Sequence, residues 1–351
     1  MDLSIAAILA QDGITSGAIY ALLSLALVLV FSVTRVIFIP QGEFVAFGAL
    51  TLAAMQSNVF PQSATLLVAL GIVTFVQEAY FIIRTAERRR TATRSIPLAL
   101  LAFVVLPLAI FVVTKTFAGP KLPMAMQVLL TLAIVVPMGP MVYRLAFQPL
   151  AEASTLILLI VSVGVHFALM GMGLVIFGAE GSRTAPFSDA RFEAGAMAIS
   201  GQSIVVIGVS LALIAALYLY FERTLSGKAL RATAVNRLGA RLVGIGTAQA
   251  GRLAFTVAAA MGALCGVLIA PLTTIYYDSG FLIGLKGFVG AIIGGLASYP
   301  VAAAGAVLVG LLESYSSFWA SAFKEVIVFT LIIPVLLWRS LRSSHNDEGE
   351  E

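Results

Sequence analysis

The chain has 351 residues, of which 60% are hydrophobic and only 11% charged, and its mean hydropathy is +1.04; a soluble globular domain carries roughly a quarter charged residues. These proportions exclude a water-soluble enzyme core and a disordered chain, and they predict an all-α integral membrane protein. The net charge of +4 reports sidedness rather than an acidic partner such as nucleic acid.

A crossing helix needs about 20 apolar residues. Such runs are expected near 13–33, 37–57, 64–83, 96–116, 124–142, 154–177, 203–221, 252–276, 284–298, 300–318 and 324–338. They predict a polytopic helical bundle of about 10–11 segments, some short or broken, forming one transmembrane domain over residues 1–340. Residues 341–351, ending in "HNDEGEE", read as a disordered cytoplasmic tail. The apolar runs are continuous rather than alternating, which argues against a β-barrel. Met1–Gln11 contains no Lys or Arg, so the basic n-region of a cleaved signal peptide is missing and the first span is expected to stay. "PQGEF" (40–44) and "GLKGFVGAIIGG" (284–295) mix glycine and charge with Pro40 or apolar residues, as broken or half-spanning helices do where they face protein or water.

Counting crossings from an external amino terminus puts the carboxyl terminus in the cytoplasm. The basic clusters 84–94 and 223–252, with Arg35, Arg144, Arg339 and Arg342, then fall inside. Lys115, Lys121, Arg183, Arg191, Lys286 and Lys324 fall outside. That asymmetry obeys the positive-inside rule. The same map makes 178–202 the largest external loop and 227–251 a cytoplasmic one.

A phosphate-cradling loop would need Gly, four residues, then Gly-Lys-Ser/Thr. Gly227-Lys228 is the only Gly-Lys pair, with Glu222 at the first glycine position and Ala229 after the lysine, so ATP hydrolysis by this chain is not expected. His166 and His345 lie at different predicted depths, and no zinc-binding His-Glu-x-x-His helix or Gly-x-Ser-x-Gly elbow occurs. No catalytic residue, metal or bound cofactor is assigned. The lone Cys265 sits in an apolar run as a small buried hydrophobe.

Small residues at helical spacing, Gly13 and Gly17, Gly290 and Gly294, and Ala302, Gly305 and Gly310, predict close helix packing in lipid. Ionisable residues in spans are costly and usually face a cavity or partner. Glu43, Glu78, His166, Asp278, Lys286 and Glu313 are the candidates. Glu78 is read as paired locally with the arginines after it, and His166 as a neutral hydrogen-bonded helix residue. Lys286 and Glu313 have opposite charge on neighbouring segments, and either fix packing or line a translocation route together with Gln41, Glu43 and His166.

Within 227–252, "GKALRATAVNRLGARLVGIGTAQAGR" reads as two short helices, with Asn236 capping the second and Gly244 ending it. Helices of about two turns need a surface to pack on. The alanines are expected to form a close-packing face, with Lys228, Arg231, Arg237 and Arg241 on a polar face. Physics leaves two readings, a docking element for a soluble partner and a basic amphipathic loop on headgroups.

The stretch "GKALRATAVNRLGARLVGI" resembles the coupling loop of the branched-chain amino-acid permease family of ATP-binding-cassette importers. The matching positions are Gly227, Lys228, Ala229, Arg231, Ala232, Ala234, Asn236, Ala240, Gly244 and Ile245. "GITSGAIYALLSLALVLVFSVTRVIFIPQGEFVAFGA" (13–49), "YRLAFQPL" (143–150) and "GLKGFVGAIIGGLASYPVAAAGAVLVGLLE" (284–313) are similar to further family segments. Residues 72–125 look longer than the family's usual connection, as an insertion would. Asn236 stands where an acidic residue is common, which removes one salt bridge to an ATPase. The resemblance implies a bacterial inner-membrane permease subunit that works with a second related permease, two cytoplasmic ATPase subunits carrying ATP and Mg, and an extracytoplasmic solute-binding protein. The implied solutes are branched-chain or other hydrophobic amino acids. Urea, short amides and small organic or aromatic acids are alternatives, and an ion-coupled secondary transporter is the rival of another class.

Overall fold

In the computed structural model, residues 3–84, 92–117, 122–194 and 197–343 are described. Arg88, Arg89 and Arg90 of the basic cluster, Lys121, His345 and the acidic tail from residue 344 lie outside the described residues. Helix α1 (Leu3–Thr34) is followed by a short extended break and by α2 (Gln41–Gln56), then α3 (Ser63–Arg84). Helix α4 (Ala92–Leu100) passes through a π turn, Leu101–Val105, into α5 (Leu106–Phe117). Helices α6 (Met124–Val135) and α7 (Met138–Val142) continue through a second π turn, Tyr143–Phe147, and are followed by α8 (Thr155–Phe177). After a two-stranded hairpin come α9 (Gly201–Arg223), α10 (Leu225–Val235), α11 (Arg237–Leu242) and α12 (Thr247–Ile269). Helices α13 (Ser279–Ile293), α14 (Tyr299–Trp319), α15 (Lys324–Thr330) and α16 (Ile332–Ser343) close the chain.

The protein is an all-α polytopic membrane bundle. Among the described residues eight helices are long and apolar enough to cross a membrane. Three expected spans fall short. Helix α2 has 16 residues and α13 has 15; α2 begins at the wholly buried Gln41, and α13 packs Gly280 of its first turn on Gly42. The expected span 324–338 is a correction: it divides between α15 and α16. The first helix also starts earlier than expected, at Leu3 rather than near residue 13.

Helix α1 is the central element, with Ile19, Leu22, Leu23, Val28 and Val30 wholly buried. Its neighbours approach at backbone distance. A Cβ on Gly17 would sit 2.8 Å from the Cα of Val307, and one on Gly310 would strike Gly13 and Gly17. Added Cβ atoms on Gly290 and Gly294 would meet Ala306 and Ala302. In lipid, where expulsion of water does not drive helices together, such close approach supplies the dispersion that holds a bundle. Helix α2 starts after Pro40 and packs Gly42 against the backbone of Gly280 and Gly284, while Gly48 and Gly266 bring it against α12.

Contacts sort the loops into two ends. At one, Ser182 pairs with Ile275 and Ala185 N–H donates to Gln56. At the other, Ser32 donates to the Leu296 carbonyl and Arg237 to the Ala151 carbonyl. This grouping matches the two sides that the basic residues predict. Residues 178–202 contain a structure that the sequence reading missed: β1 (Arg191–Ala194) pairs antiparallel with β2 (Met197–Ser200), Arg191 opposite Ser200.

Gly310→Leu forces a side chain into the backbone of α1 and should destabilise the bundle by roughly 3 kcal/mol. Gly164→Leu, where an added Cβ meets nothing within 4 Å, should be near neutral. Thermal unfolding of both variants in detergent checks the contrast.

Candidate functional site

Residues 224–247 form a compact element at the end of the bundle predicted to face the cytoplasm. Thr224 caps α10 by accepting from Gly227 N–H at 3.0 Å, and Asn236 caps α11 by accepting from Gly239 N–H at 2.8 Å. Gly244, at φ +86°, ends α11 in the left-handed conformation while Ile245 N–H returns to the Ala240 carbonyl at 2.9 Å. Gly227 lies on Tyr220 and Phe221 with no room for a Cβ. Leu230, Thr233 and Ala240 are buried, and Leu230 packs into a small cluster with Leu29, Val33 and Phe221.

The outward face differs from the expected one. Only Ala240 of the four matched alanines is buried; Ala229 and Ala234 are half-buried, and Ala232 is exposed beside Lys228 and Arg231. Five aliphatic side chains also point out: Leu225 (88% exposed), Val235 (87%), Leu242 (80%), Val243 (76%) and Leu238 (68%). The sequence reading missed this apolar face because it assigned the solvent side to the arginines alone. Arg231 pairs with Glu222 at 2.6 Å and Arg241 with Glu152 at 3.2 Å.

Two polar groups lie within the bundle. The first stands where α2 begins. Gln41 Nε2 donates to the Ala258 carbonyl at 2.9 Å, and Glu43 Oε1 lies 2.9 Å from His166 Nδ1 on α8. The His166 ring centroid is 4.7 Å from that of Phe281 on α13. Gln41 and Glu43 are fully buried, and Gln41 Oε1 and Glu43 Oε2 have no hydrogen-bond partner among the described residues. The second group stands where α1, α13, α14 and α15 meet. Lys286 Nζ lies 2.5 Å from Glu313 Oε1 and 3.2 Å from Glu325 Oε1, and Tyr20 Oη donates to Glu313 Oε2 at 2.7 Å. No hydrogen bond or ion pair joins the two groups among the described residues.

Lys286 and Glu313 border a cavity of about 460 Å³ that also meets Asp12, Tyr20, Ser279 and Lys324. Its walls thus carry both signs of charge, and Ile269, Leu272, Ile275, Leu282 and Ile283 supply an aliphatic side. Glu325 and the cavity were not read from the sequence; only its short distance from the expected Lys286–Glu313 pair in the fold reveals them. Among the described residues Glu78 is a correction: it accepts from Arg144 Nε at 2.8 Å, across from α3 to the second π turn, while the nearer described arginine, Arg84, donates to Tyr80. The Arg144 guanidinium lies over the Phe103 ring, 5.3 Å from its centroid. Among the described residues no group of His, Cys, Asp and Glu is arranged to hold a metal ion.

Lys286→Met leaves Glu313 and Glu325 without their cation and should cost about 3–5 kcal/mol. Lys286→Met combined with Glu313→Gln should recover part of that loss. Unfolding midpoints of the two variants in detergent test this, and an equal midpoint for both would show that the ion pair does not hold these helices.

Residues 90–336 match the family described as "Branched-chain amino acid transport system / permease component". The chain is 26% identical over 341 residues to the high-affinity branched-chain amino acid transport system permease protein BraD of Pseudomonas aeruginosa, covering 93% of this chain and 92% of that one. It is 30% identical over 207 residues to the permease protein LivH of the high-affinity branched-chain amino acid transport system of Escherichia coli K12, covering 57% of this chain and 67% of the relative. A probable branched-chain amino acid transport permease protein LivH of Methanocaldococcus jannaschii is 28% identical over 201 residues, which is 55% of this chain and 64% of the relative. No solved structure matches the chain. The family match begins within the segment 72–125 and runs on through the capped element, the short helix α13 and the Lys286–Glu313 pair, and the chain therefore belongs to the branched-chain amino acid transport permease family.

Proposed function

We propose that this chain is the membrane-spanning permease subunit of an ATP-driven importer for branched-chain or other hydrophobic amino acids. In this reading it sits in the bacterial inner membrane with its amino terminus outside and its carboxyl terminus in the cytoplasm. The observation that carries the reading is the element 224–247. It exposes Leu225, Val235, Leu238, Leu242 and Val243 together with Lys228 and Arg231 at one end of the bundle. Grouped apolar side chains on a solvent-facing element mark a protein interface. Burying each is worth about 1.5–3 kcal/mol before the cost of association is subtracted. An ATPase subunit seated there, carrying ATP and Mg, pushes on α10 and α11. Leu230 transmits the push to Leu29 and Val33 on α1, and Gly227 to Tyr220 and Phe221 on α9. Alternating access requires the ATPase to bind the two states of the bundle differently.

The cavity near Lys286 supports the solute class. An amino acid with an aliphatic side chain presents an ammonium, a carboxylate and a hydrocarbon, and this cavity has walls of all three complementary kinds. Urea or an aromatic acid uses only part of that set. The partners of the reading are a second, related permease, two ATPase subunits, a solute-binding protein at the end that carries the β1–β2 hairpin, and membrane lipid; no cofactor is held by this chain. One observation favours an ion-coupled transporter instead: Glu43 is fully buried against His166 with one oxygen unpartnered, as a proton relay would place it.

Uptake in vesicles separates the two. The importer reading expects leucine uptake only with ATP and the ATPase subunits present. Ala232→Glu, on the exposed face, should lower it at least tenfold while membrane insertion is unchanged. Ala240→Glu is a poor probe, because Ala240 is buried against the chain's own helices. Uptake driven by an ion gradient with no ATPase would overturn the proposal.

A further inference from the structure

A charged cavity adjoins the coupling element, sharing Leu238 with its outward face. About 390 Å³ in volume, it lies between the end of α1, the start of α8 and α11, at the same end of the bundle as the coupling element. Three arginines border it, Arg35, Arg237 and Arg241, against one carboxylate, Glu152. Arg241 holds Glu152 at 3.2 Å, which leaves Arg35 and Arg237 without a carboxylate partner among the described residues. Arg237 Nη1 donates to the Ala151 carbonyl at 3.0 Å, and its Nε is buried with no acceptor among the described residues. Arg35 is held at φ +61°, a conformation few side chains adopt. Its guanidinium makes no hydrogen bond or ion pair among the described residues and only lies over the Phe31 ring, 5.8 Å from the centroid. The hydroxyls of Ser154 and Thr155 complete the rim.

We infer that this cavity is a binding site for the phosphate of an anionic phospholipid headgroup. Two guanidiniums with no carboxylate partner among the described residues, one of them with an Nε that lacks an acceptor, call for an anion with several oxygens, which phosphate supplies. Lipid is favoured over free phosphate by what adjoins the cavity. Along α8, Leu156 (67% exposed), Ile160 (64%) and Phe167 (58%) run away from the rim on the outside of the bundle, an aliphatic track for an acyl chain. Basic pockets between helices at the cytoplasmic boundary are where such headgroups are held. A phosphate here bridges Arg35, directly after α1, to the arginines of α11, so the lipid ties the coupling element to the end of the central helix.

The test is native mass spectrometry of the full-length chain in detergent, with added phosphatidylglycerol, phosphatidylcholine or inorganic phosphate. Phosphatidylglycerol should be retained in preference to phosphatidylcholine, and millimolar inorganic phosphate should not displace it. Arg35→Gln should weaken retention about fivefold, Arg35→Gln with Arg241→Gln roughly thirtyfold, and Arg35→Lys much less, with unfolding midpoints confirming that each variant is folded. Equal retention of the two lipids, or unchanged retention in a folded Arg35→Gln variant, overturns the proposal. Displacement by inorganic phosphate assigns the cavity to a free anion instead. Loss of the lipid when the ATPase subunits bind assigns the arginines to a carboxylate of that partner.

Discussion

Backbone contact between α1 and α14 sets what the rest of the bundle can do. Gly13 and Gly17 on one helix face the backbone of Val307, Gly310 and Leu311 on the other, where a Cβ on either glycine would come within 2.8 Å of a Cα. At that separation Tyr20 of α1 reaches Glu313 of α14, and Lys286 of α13 enters between them. The small-residue seam between α13 and α14, Gly290 and Gly294 against Ala306 and Ala302, fixes the third side of the triangle. Charge inside a membrane is costly unless it is paired and hydrogen-bonded. The glycines therefore do more than pack helices, because they bring the compensating groups within bonding distance.

The two short helices obey the same rule at a different place. Helix α2 begins inside the protein, so its first turn cannot rely on water for hydrogen bonds. It meets α13 at Gly42 and Gly280, again backbone on backbone. The chain entering α2 is held by Ser162, whose Oγ accepts from Ile39 N–H at 2.9 Å. This crossing presents Gln41 and Glu43 to the interior. Helix α13 carries both Phe281, against the His166 ring, and Lys286, against Glu313. The two polar groups thus share one helix without touching.

Periodicity and hydropathy made much of this legible. Long apolar runs gave the helices, because a bilayer imposes length directly on sequence. Charge beside glycine or proline within 40–44 and 284–295 marked the two short helices, since an ionisable residue is costly on an unbroken lipid-facing helix. Asn236 and Gly244 were legible as cap and stop because capping is local chemistry. The division after Thr330 was missed although its cause is local: Pro334 has no N–H to give the Thr330 carbonyl, and the apolar side chains around it hide that break from hydropathy.

The sequence by itself determined that the chain lives in lipid, where most of its long helices run, and how the element 224–247 is capped and ended. Each of these follows from transfer free energy or from contacts within a turn or two. Only the tertiary structure decided which charge meets which. Glu78 found Arg144 across 66 positions, Glu43 found His166, and Lys286 gathered Glu325 as well as Glu313. It also decided that α10 and α11 turn leucines and valines outward. Partners separated by tens or hundreds of residues are chosen by how helices rotate against one another, and no local pattern encodes that rotation.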